Sequence, residues 1–272
     1  MTPGRRIAAL PMYDLVPLRA ATDAWWSALA SRLRAAGVAD VPEALTRDIE
    51  PVTSWQDKRL LLGQGCQYPL SRLDPVPVRL VAIPVYQAPG CIGSRYSSAI
   101  VVRRDDPARH IRDLRGRRCA VNERESNSGY NLLRVTLARA HARAQFFGTV
   151  LFTGAHLESA RAVAESRADV AAIDCVSLAL IAGSYPAIAS RLRVLDRTVS
   201  CPGLPYVTAK DTDAMTLMRL RGVLRDAVSD PALKSVRETL LIAEIDQEVD
   251  ESYTEVRALA AEAAAQGYPE IM

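Results

Sequence analysis

The sequence predicts an α/β protein of two lobes, and three observations predict it. The chain has 272 residues, beyond the usual size of a single hydrophobic core. From about residue 103 strand-like and helix-like segments alternate, which argues for parallel βαβ units in a second lobe. Finally, three apolar runs each end in polar, ligand-competent residues. They are Cys119-Ala120-Val121-Asn122 leading to Ser126-Asn127-Ser128-Gly129-Tyr130, Thr149-Val150-Leu151-Phe152-Thr153 leading to Gly154-Ala155-His156, and Asp169-Val170-Ala171-Ala172-Ile173 leading to Asp174. In an open α/β sheet ligands bind beyond the carboxyl ends of the strands, so the three ends together predict a small-molecule cleft.

The bulk numbers narrow the class. With 49% hydrophobic and 24% charged residues the chain can bury a sizeable core and carries no signature of disorder. Its 34 basic and 31 acidic residues leave a net charge of +3, too small to call for nucleic acid. The arginines at 103–104 and 115–118 stand beside Asp105, Asp106 and Asp113 and read as solvated loop charge. Five cysteines, at 66, 91, 119, 175 and 201, show no metal-ligand spacing and, being odd in number, cannot all pair within one chain. Cys119 and Cys175 lie in or beside apolar strands, where a thiol acts as a small hydrophobe. No apolar run has membrane-spanning length, and Arg5-Arg6 precede only Ile7-Ala8-Ala9-Leu10 before Pro11, too short for an export signal.

The elements follow in order. Residues 6–12 read as a first strand, and Pro17 opens a helix with an apolar stripe of Leu18, Ala21, Trp25, Leu29, Leu33 and Ala36 that Gly37 stops. Trp25 is expected in the core and Trp55, in a polar surrounding, facing the cleft. A short helix is expected over 57–62, ahead of Gly63-Gln64-Gly65-Cys66-Gln67-Tyr68-Pro69. Because this half of a dinucleotide glycine motif then follows a helix, a nucleotide site is rejected. Residues 78–85 and 97–102 read as strands around a Pro89-Gly90 loop, and Tyr96 is expected where the chain passes between lobes. Leu192-Arg193-Val194-Leu195 and Ser200-Cys201-Pro202-Gly203-Leu204-Pro205 read as the return crossover, after which helices are expected over 212–228, 231–241 and 252–266. Lobe 1 is thus assigned residues 1–98 plus 203–272 and lobe 2 residues 99–202.

Each polar strand end admits two readings. Ser126-Asn127-Ser128-Gly129 stands before a helix whose apolar positions are Tyr130, Leu133 and Leu137. There, unpaired N–H groups and the positive end of the helix dipole hold an anion without any lysine. An ordinary capped helix has the same residues. His156 is the only histidine in a strand-to-helix turn, while His110 and His141 sit among charged surface residues. Asp174 either meets a ligand or caps the helix that starts near Val176. Their occurrence at equivalent topological positions favours a site.

Signatures of catalysis are poor. There is no GxSxG elbow, no phosphate-binding loop with its lysine, no HExxH, and no metal-type cysteine or histidine spacing. A Ser128–His156–Asp174 triad is conceivable from residue types alone, but a serine at a helix start suits hydrogen bonding better than acyl transfer.

Three segments also carry a family resemblance. They are Leu114-Arg115-Gly116-Arg117-Arg118-Cys119-Ala120-Val121 with Ser126-Asn127-Ser128-Gly129-Tyr130, Thr153-Gly154-Ala155-His156 with Ser159 and Val163, and Ala168-Asp169-Val170-Ala171-Ala172-Ile173-Asp174. With Pro202-Gly203-Leu204-Pro205 as a return segment, the chain resembles the phosphate/phosphonate-type solute-binding proteins of ABC transporters over most of residues 6–245. The resemblance implies the type II periplasmic-binding-protein fold, each lobe a mixed, mainly parallel sheet flanked by helices, with two hinge crossovers. It implies a non-catalytic protein that captures a small phosphonate- or phosphate-like anion for uptake through a permease, with no cofactor, no nucleic acid and no membrane insertion.

Carried over by position, the resemblance implies that Ser126, Asn127, Ser128 and the N–H of Gly129 or Tyr130 hold an oxyanion, with His156 as a further donor. Tyr96 matches a hinge-side tyrosine, Asp174 an acidic ligand contact, and Tyr13 and Tyr68, at strand ends of the first lobe, are candidates to close over the ligand. Asn127 stands where the family has a hydroxyl residue, and no second carboxylate for an aminoalkyl group occurs in 200–208. The family is periplasmic, whereas the lack of an export signal fits a cytoplasmic protein. A cytoplasmic enzyme on the same scaffold, like the dehydratases of menaquinone biosynthesis or pyrimidine-precursor synthases, and a ligand sensor are the alternatives.

Overall fold

The computed structural model describes residues 5–140, 145–248 and 253–271, so His141 and Ser252 lie outside the described residues. In chain order the first elements are β1 (Ile7–Ala9), α1 (Arg19–Ala35), α2 (Pro51–Gln56), β2 (Leu60–Gln64), α3 (Gln67–Arg72) and β3 (Val78–Tyr86). Then come β4 (Arg95–Tyr96), β5 (Ser98–Arg103), β6 (Arg118–Val121), α4 (Leu132–Arg139), β7 (Thr149–Phe152), α5 (His156–Ala164), β8 (Val170–Asp174) and α6 (Cys175–Ser184). The chain continues through α7 (Pro186–Ala189), β9 (Leu192–Arg197), β10 (Cys201–Pro202), β11 (Tyr206–Ala209), α8 (Ala214–Ser229), α9 (Lys234–Thr239), β12 (Ile242–Asp246) and α10 (Thr254–Ala265).

The chain falls into two compact units. The first comprises Met1–Gln87 and Gly203–Ser252, the second Ala88–Pro202 and Tyr253–Met272. Residues 88–98 and 253–272, both expected in lobe 1, group with the second unit. For the latter stretch the reason is specific: the Arg139 guanidinium pairs with the Glu262 carboxylate, and Arg134 donates to the carbonyls of Ala260 and Pro269, which ties α10 and the tail to α4.

In the first unit the strand order is β1-β2-β11-β3-β12. Only β1 and β2 run parallel, while β11 is antiparallel to both β2 and β3, and β12 is antiparallel to β3. The sheet is mixed as expected but not mainly parallel. Its central strand β11 arrives from far along the chain, and such a pairing leaves no trace in local periodicity. Helix α1 forms because Thr22, Trp25, Trp26, Leu29, Ala30 and Leu33 make one buried stripe. It ends at Gly37, whose φ of 77° lets its N–H reach the Arg34 carbonyl and the Val38 N–H reach the Leu33 carbonyl.

Two expectations in this unit fail. Residues 60–64 form strand β2 rather than part of a helix, since Leu60, Leu61 and Leu62 are buried on both faces of an interior strand. The glycine motif at 63–65 therefore does follow a strand. What removes the nucleotide reading is close packing: a side chain at Gly65 would run into Leu70, and the helix that follows has only six residues. Trp55 does not face a cleft either. It is buried in α2 and donates its indole N–H to the Gln64 carbonyl at 3.2 Å. The first strand is shorter than the expected 6–12, stopping at Ala9 ahead of Pro11.

The second unit holds the sheet β7-β6-β8-β5-β9 and a separate antiparallel pair of β4 with β10. Here β6 is parallel to β7 and β8, whereas β5 is antiparallel to β8 and β9. Leu192–Arg197, read as part of a crossover, is an edge strand of this sheet. Because β7, β6 and β8 are adjacent and parallel, their carboxyl ends at Phe152, Val121 and Asp174 open on one edge. The clustering expected of the three polar strand ends is what this topology delivers.

Candidate functional site

Strand β6 ends at Val121, and the chain turns through Asn122 into a wide, π-helical first turn, Asn127–Asn131, that runs directly into α4. The Ser126 carbonyl accepts from the Asn131 N–H at 3.0 Å, one residue beyond α-helical spacing. Such wide turns recur where a helix start is shaped for a task. Ser126 caps it, its hydroxyl oxygen accepting from the Gly129 N–H at 3.0 Å. The Gly129 donor is thereby engaged inside the turn, leaving the Ser126 and Ser128 hydroxyls and the N–H groups of Asn127 and Ser128 at the helix start as the groups able to meet an anion.

Gly129 is required by close approach and not by backbone torsion. A Cβ there would overlap the Asn122 side-chain oxygen and stand 3.3 Å from the His156 ring. The Asn122 oxygen is buried without a hydrogen-bond partner. From the sequence Asn122 reads as the polar end of its run but not as a site residue, and Ser98 is not singled out. Asn122 closes its strand as Asp174 closes β8, a signal that was present. The role of Ser98, whose hydroxyl donates to the Ser128 carbonyl at 2.8 Å, depends on β5 lying beside β8 and had no local signal.

His156 comes to the turn through β7. The Thr153 and Gly154 N–H groups donate to the carbonyls of Val121 and Asn122, both at 2.9 Å, and Gly154, at a φ of 84°, swings the chain into α5. The His156 Nε2 then lies 2.8 Å from the Ser128 Oγ. Its Nδ1 is buried with no partner, and desolvation pushes the imidazole down from its ordinary value to about 4, so the ring is neutral at pH 7. A buried N–H left unpaired costs more than an unpaired lone pair, which places the proton on Nε2. Ser128 accepts from that N–H, which leaves its own hydroxyl proton for a ligand or for the Ser126 oxygen 3.4 Å away. His156 thus acts through Ser128 rather than as a separate donor.

Asn127 is buried and faces the other way. Its amide N–H2 donates to the Tyr96 hydroxyl and the Cys201 sulfur, both at 3.1 Å, and its oxygen accepts from the Asn131 amide at 2.9 Å. Tyr96, in the second unit opposite Cys201 on the β4–β10 pair, is therefore tied to the turn. The Asn131 oxygen accepts in turn from Arg134 at 2.9 Å. Arg134 is a buried guanidinium whose hydrogen-bond partners among the described residues are all neutral oxygens, and it lies six residues beyond Ser128. The Tyr130 ring points away from the strand ends: its hydroxyl accepts from the Ile271 N–H at 3.2 Å.

Asp174 caps α6, one carboxylate oxygen accepting from the N–H groups of Val176 and Ser177 at 2.8 and 2.9 Å. It does not reach His156 Nδ1, so the triad conceivable from residue types does not form. Tyr13 and Tyr68 belong to the first unit. Tyr13 follows β1 and packs edge-to-face on Tyr86, centroids 5.1 Å apart, at an aromatic cavity that Trp25, Gln64 and Tyr206 also line. Tyr68 lies within α3, not at a strand end, and is buried. Among the described residues no group of His, Cys, Asp and Glu could hold a metal ion, and no described helix is long and apolar enough to cross a membrane.

The model of one protein family, described as "ABC transporter, phosphonate, periplasmic substrate-binding protein", matches residues 66–253. Among solved structures, the binding-protein component of an ABC phosphonate transporter from Pseudomonas aeruginosa is 16% identical at a TM-score of 0.78, over 96% of this chain and 88% of that one. PhnD1 from Prochlorococcus marinus, solved with methylphosphonate, is 16% identical at a TM-score of 0.73, over 96% and 98% of the two chains. A Xanthomonas citri protein bound to ATP is 19% identical at a TM-score of 0.70, over 96% and 98%. At these identities the likenesses carry the fold, a two-lobed type II periplasmic-binding-protein architecture. No curated protein matches the sequence.

Proposed function

This chain belongs to the family of periplasmic substrate-binding proteins of phosphonate ABC transporters, and we propose that it captures a phosphonate- or phosphate-like oxyanion at the turn after β6 for delivery to a membrane permease. The family is one of transport binding proteins and not of enzymes. The observation that carries the ligand class is the pairing of Ser128 with His156 at 2.8 Å, beside the starts of α4 and α5. A neutral imidazole that donates to a serine leaves the serine hydroxyl polarised toward an oxyanion, and the helix-start N–H groups converge on the same place. The buried Arg134 charge adds to the positive potential there without touching the ligand.

The ligand we infer has no cationic end. Asp174 caps α6 through one carboxylate oxygen, and no acidic residue occurs in 200–208. Methylphosphonate is therefore the first probe, with phosphate, ethylphosphonate and 2-aminoethylphosphonate beside it. Titration calorimetry with these four, on the wild type and on Ser128→Ala, tests the reading. Binding of an alkylphosphonate or phosphate that weakens in the variant supports it, and equal affinity in both proteins overturns it.

A further inference from the structure

A second site in this unit is built from sulfur. Cys91 lies in the segment that opens the second unit, and Cys175 is the first residue of α6, 84 positions later, yet their Sγ atoms are 3.5 Å apart. Ser97 holds the two segments in place. Its N–H and its hydroxyl both donate to the Gly90 carbonyl at 3.1 Å, while its own carbonyl accepts from the Cys175 N–H at 3.1 Å. Gly90 has a φ of 112°, and a Cβ on it would stand 3.0 Å from the Cys175 Cβ and would collide with Arg197. The closeness of the two segments is thus set by hydrogen bonds of Ser97 and by a position that only glycine fits.

We propose that Cys91 and Cys175 are a dithiol site that closes to an intramolecular disulfide by exchange with the disulfide of a thiol–disulfide oxidoreductase or of oxidised glutathione. Cys91 is half-buried and Cys175 buried, so Cys91 is the sulfur an oxidant reaches. Its thiolate attacks one sulfur of the incoming disulfide, giving a mixed disulfide and releasing one thiolate. The Cys175 sulfur, losing its proton, then attacks Cys91 and expels the second thiolate. Two protons and two electrons leave the chain, and the incoming disulfide becomes two thiols.

Other observations fit. The hydrogen bond from Cys175 holds the Cys91 thiol below its ordinary value, and the Arg197 charge acts in the same direction, as an attacking thiol requires. The Arg197 Nη1 beside Gly90 is buried with no partner, a positive charge available to that thiolate. Cys119 is different: buried in β6, its thiol is pushed well up by desolvation and is inert. A family that works in the periplasm meets an oxidising environment, where paired thiols in contact do not stay reduced.

The purified, folded chain is equilibrated with excess oxidised glutathione, quenched, alkylated in denaturant and weighed intact. Three alkyl groups in place of five, a peptide linking Cys91 to Cys175 after proteolysis, and a melting temperature that rises on oxidation and falls back with reductant are expected. Cys91→Ser should take four alkyl groups whether oxidised or not, and oxidised Cys175→Ser should take three and carry one glutathione, held as the mixed disulfide that no second thiol resolves. Five alkyl groups on the oxidised wild type, or a link between any other two cysteines, would overturn the assignment.

Discussion

The Ser128 hydroxyl and the His156 Nε2, brought together from the ends of two parallel strands, share a 2.8 Å hydrogen bond whose histidine is neutral. One proton on that ring organises the turn, because it leaves the serine free to donate outward.

Replacing Ser128 with Ala, or His156 with Ala, is expected to weaken methylphosphonate binding by about 1.5–3 kcal/mol each, the worth of a hydrogen bond to a charged group. The double variant should lose less than the sum, since the two residues act through one bond. Calorimetric affinities of the four proteins give the coupling, and strict additivity would separate the residues.

The pH dependence follows from the same ring. Its folded value of about 4 lies below the ordinary 6.5, so the unfolded chain binds the proton more readily than the folded one. The contribution of neutral His156 is present in full above pH 6.5 and is lost as pH falls toward 4. Its size is on the order of 2–3 kcal/mol, discounted because the residue is not wholly enclosed. Urea unfolding at pH 7 and pH 4.5 should show this slope in the wild type and a flatter one in His156→Gln.

Gly129→Ala places a methyl group on the Asn122 oxygen. Overpacking of this kind costs roughly 1–3 kcal/mol and displaces the turn. Thermal melts and methylphosphonate titration are expected to show lost stability and lost binding together. The paired change Gly129→Ala with Asn122→Ala should recover the stability, because it removes the atom in the way.

Asp174→Ala should cost about 1 kcal/mol of stability through loss of the α6 cap. If the carboxylate serves as a cap and not as an ammonium acceptor, the wild type will bind ethylphosphonate at least as well as 2-aminoethylphosphonate. A strong preference for the amine, abolished in Asp174→Ala, would reverse that reading.

How legible each part was depended on how far apart the interacting residues lie in sequence. The Ser126 cap, the Gly37 stop and the three strands ending in polar residues are written within a few positions and were read correctly. Leu60-Leu61-Leu62 could not be read, because a fully buried strand and a buried helical turn share the same apolar run, and only the arrival of β11 decides between them. Trp55 looked exposed among polar neighbours until the Gln64 carbonyl supplied its partner. At the site, the residue types were visible at 126–128 and 156, but the division of labour was not. That His156 pairs with Ser128, and that the Asn127 amide turns to Tyr96, are properties of pairings 28 and 31 residues apart.

The tail beyond the family-matched stretch has a practical meaning. Arg134 rests on the carbonyls of Ala260 and Pro269, and Tyr130 on the Ile271 N–H. A chain trimmed at residue 253, where the family match stops, would strand a guanidinium and a phenol that now have fitted partners. Protein chemists shortening this molecule by homology would therefore remove the support of α4 without cutting a single strand.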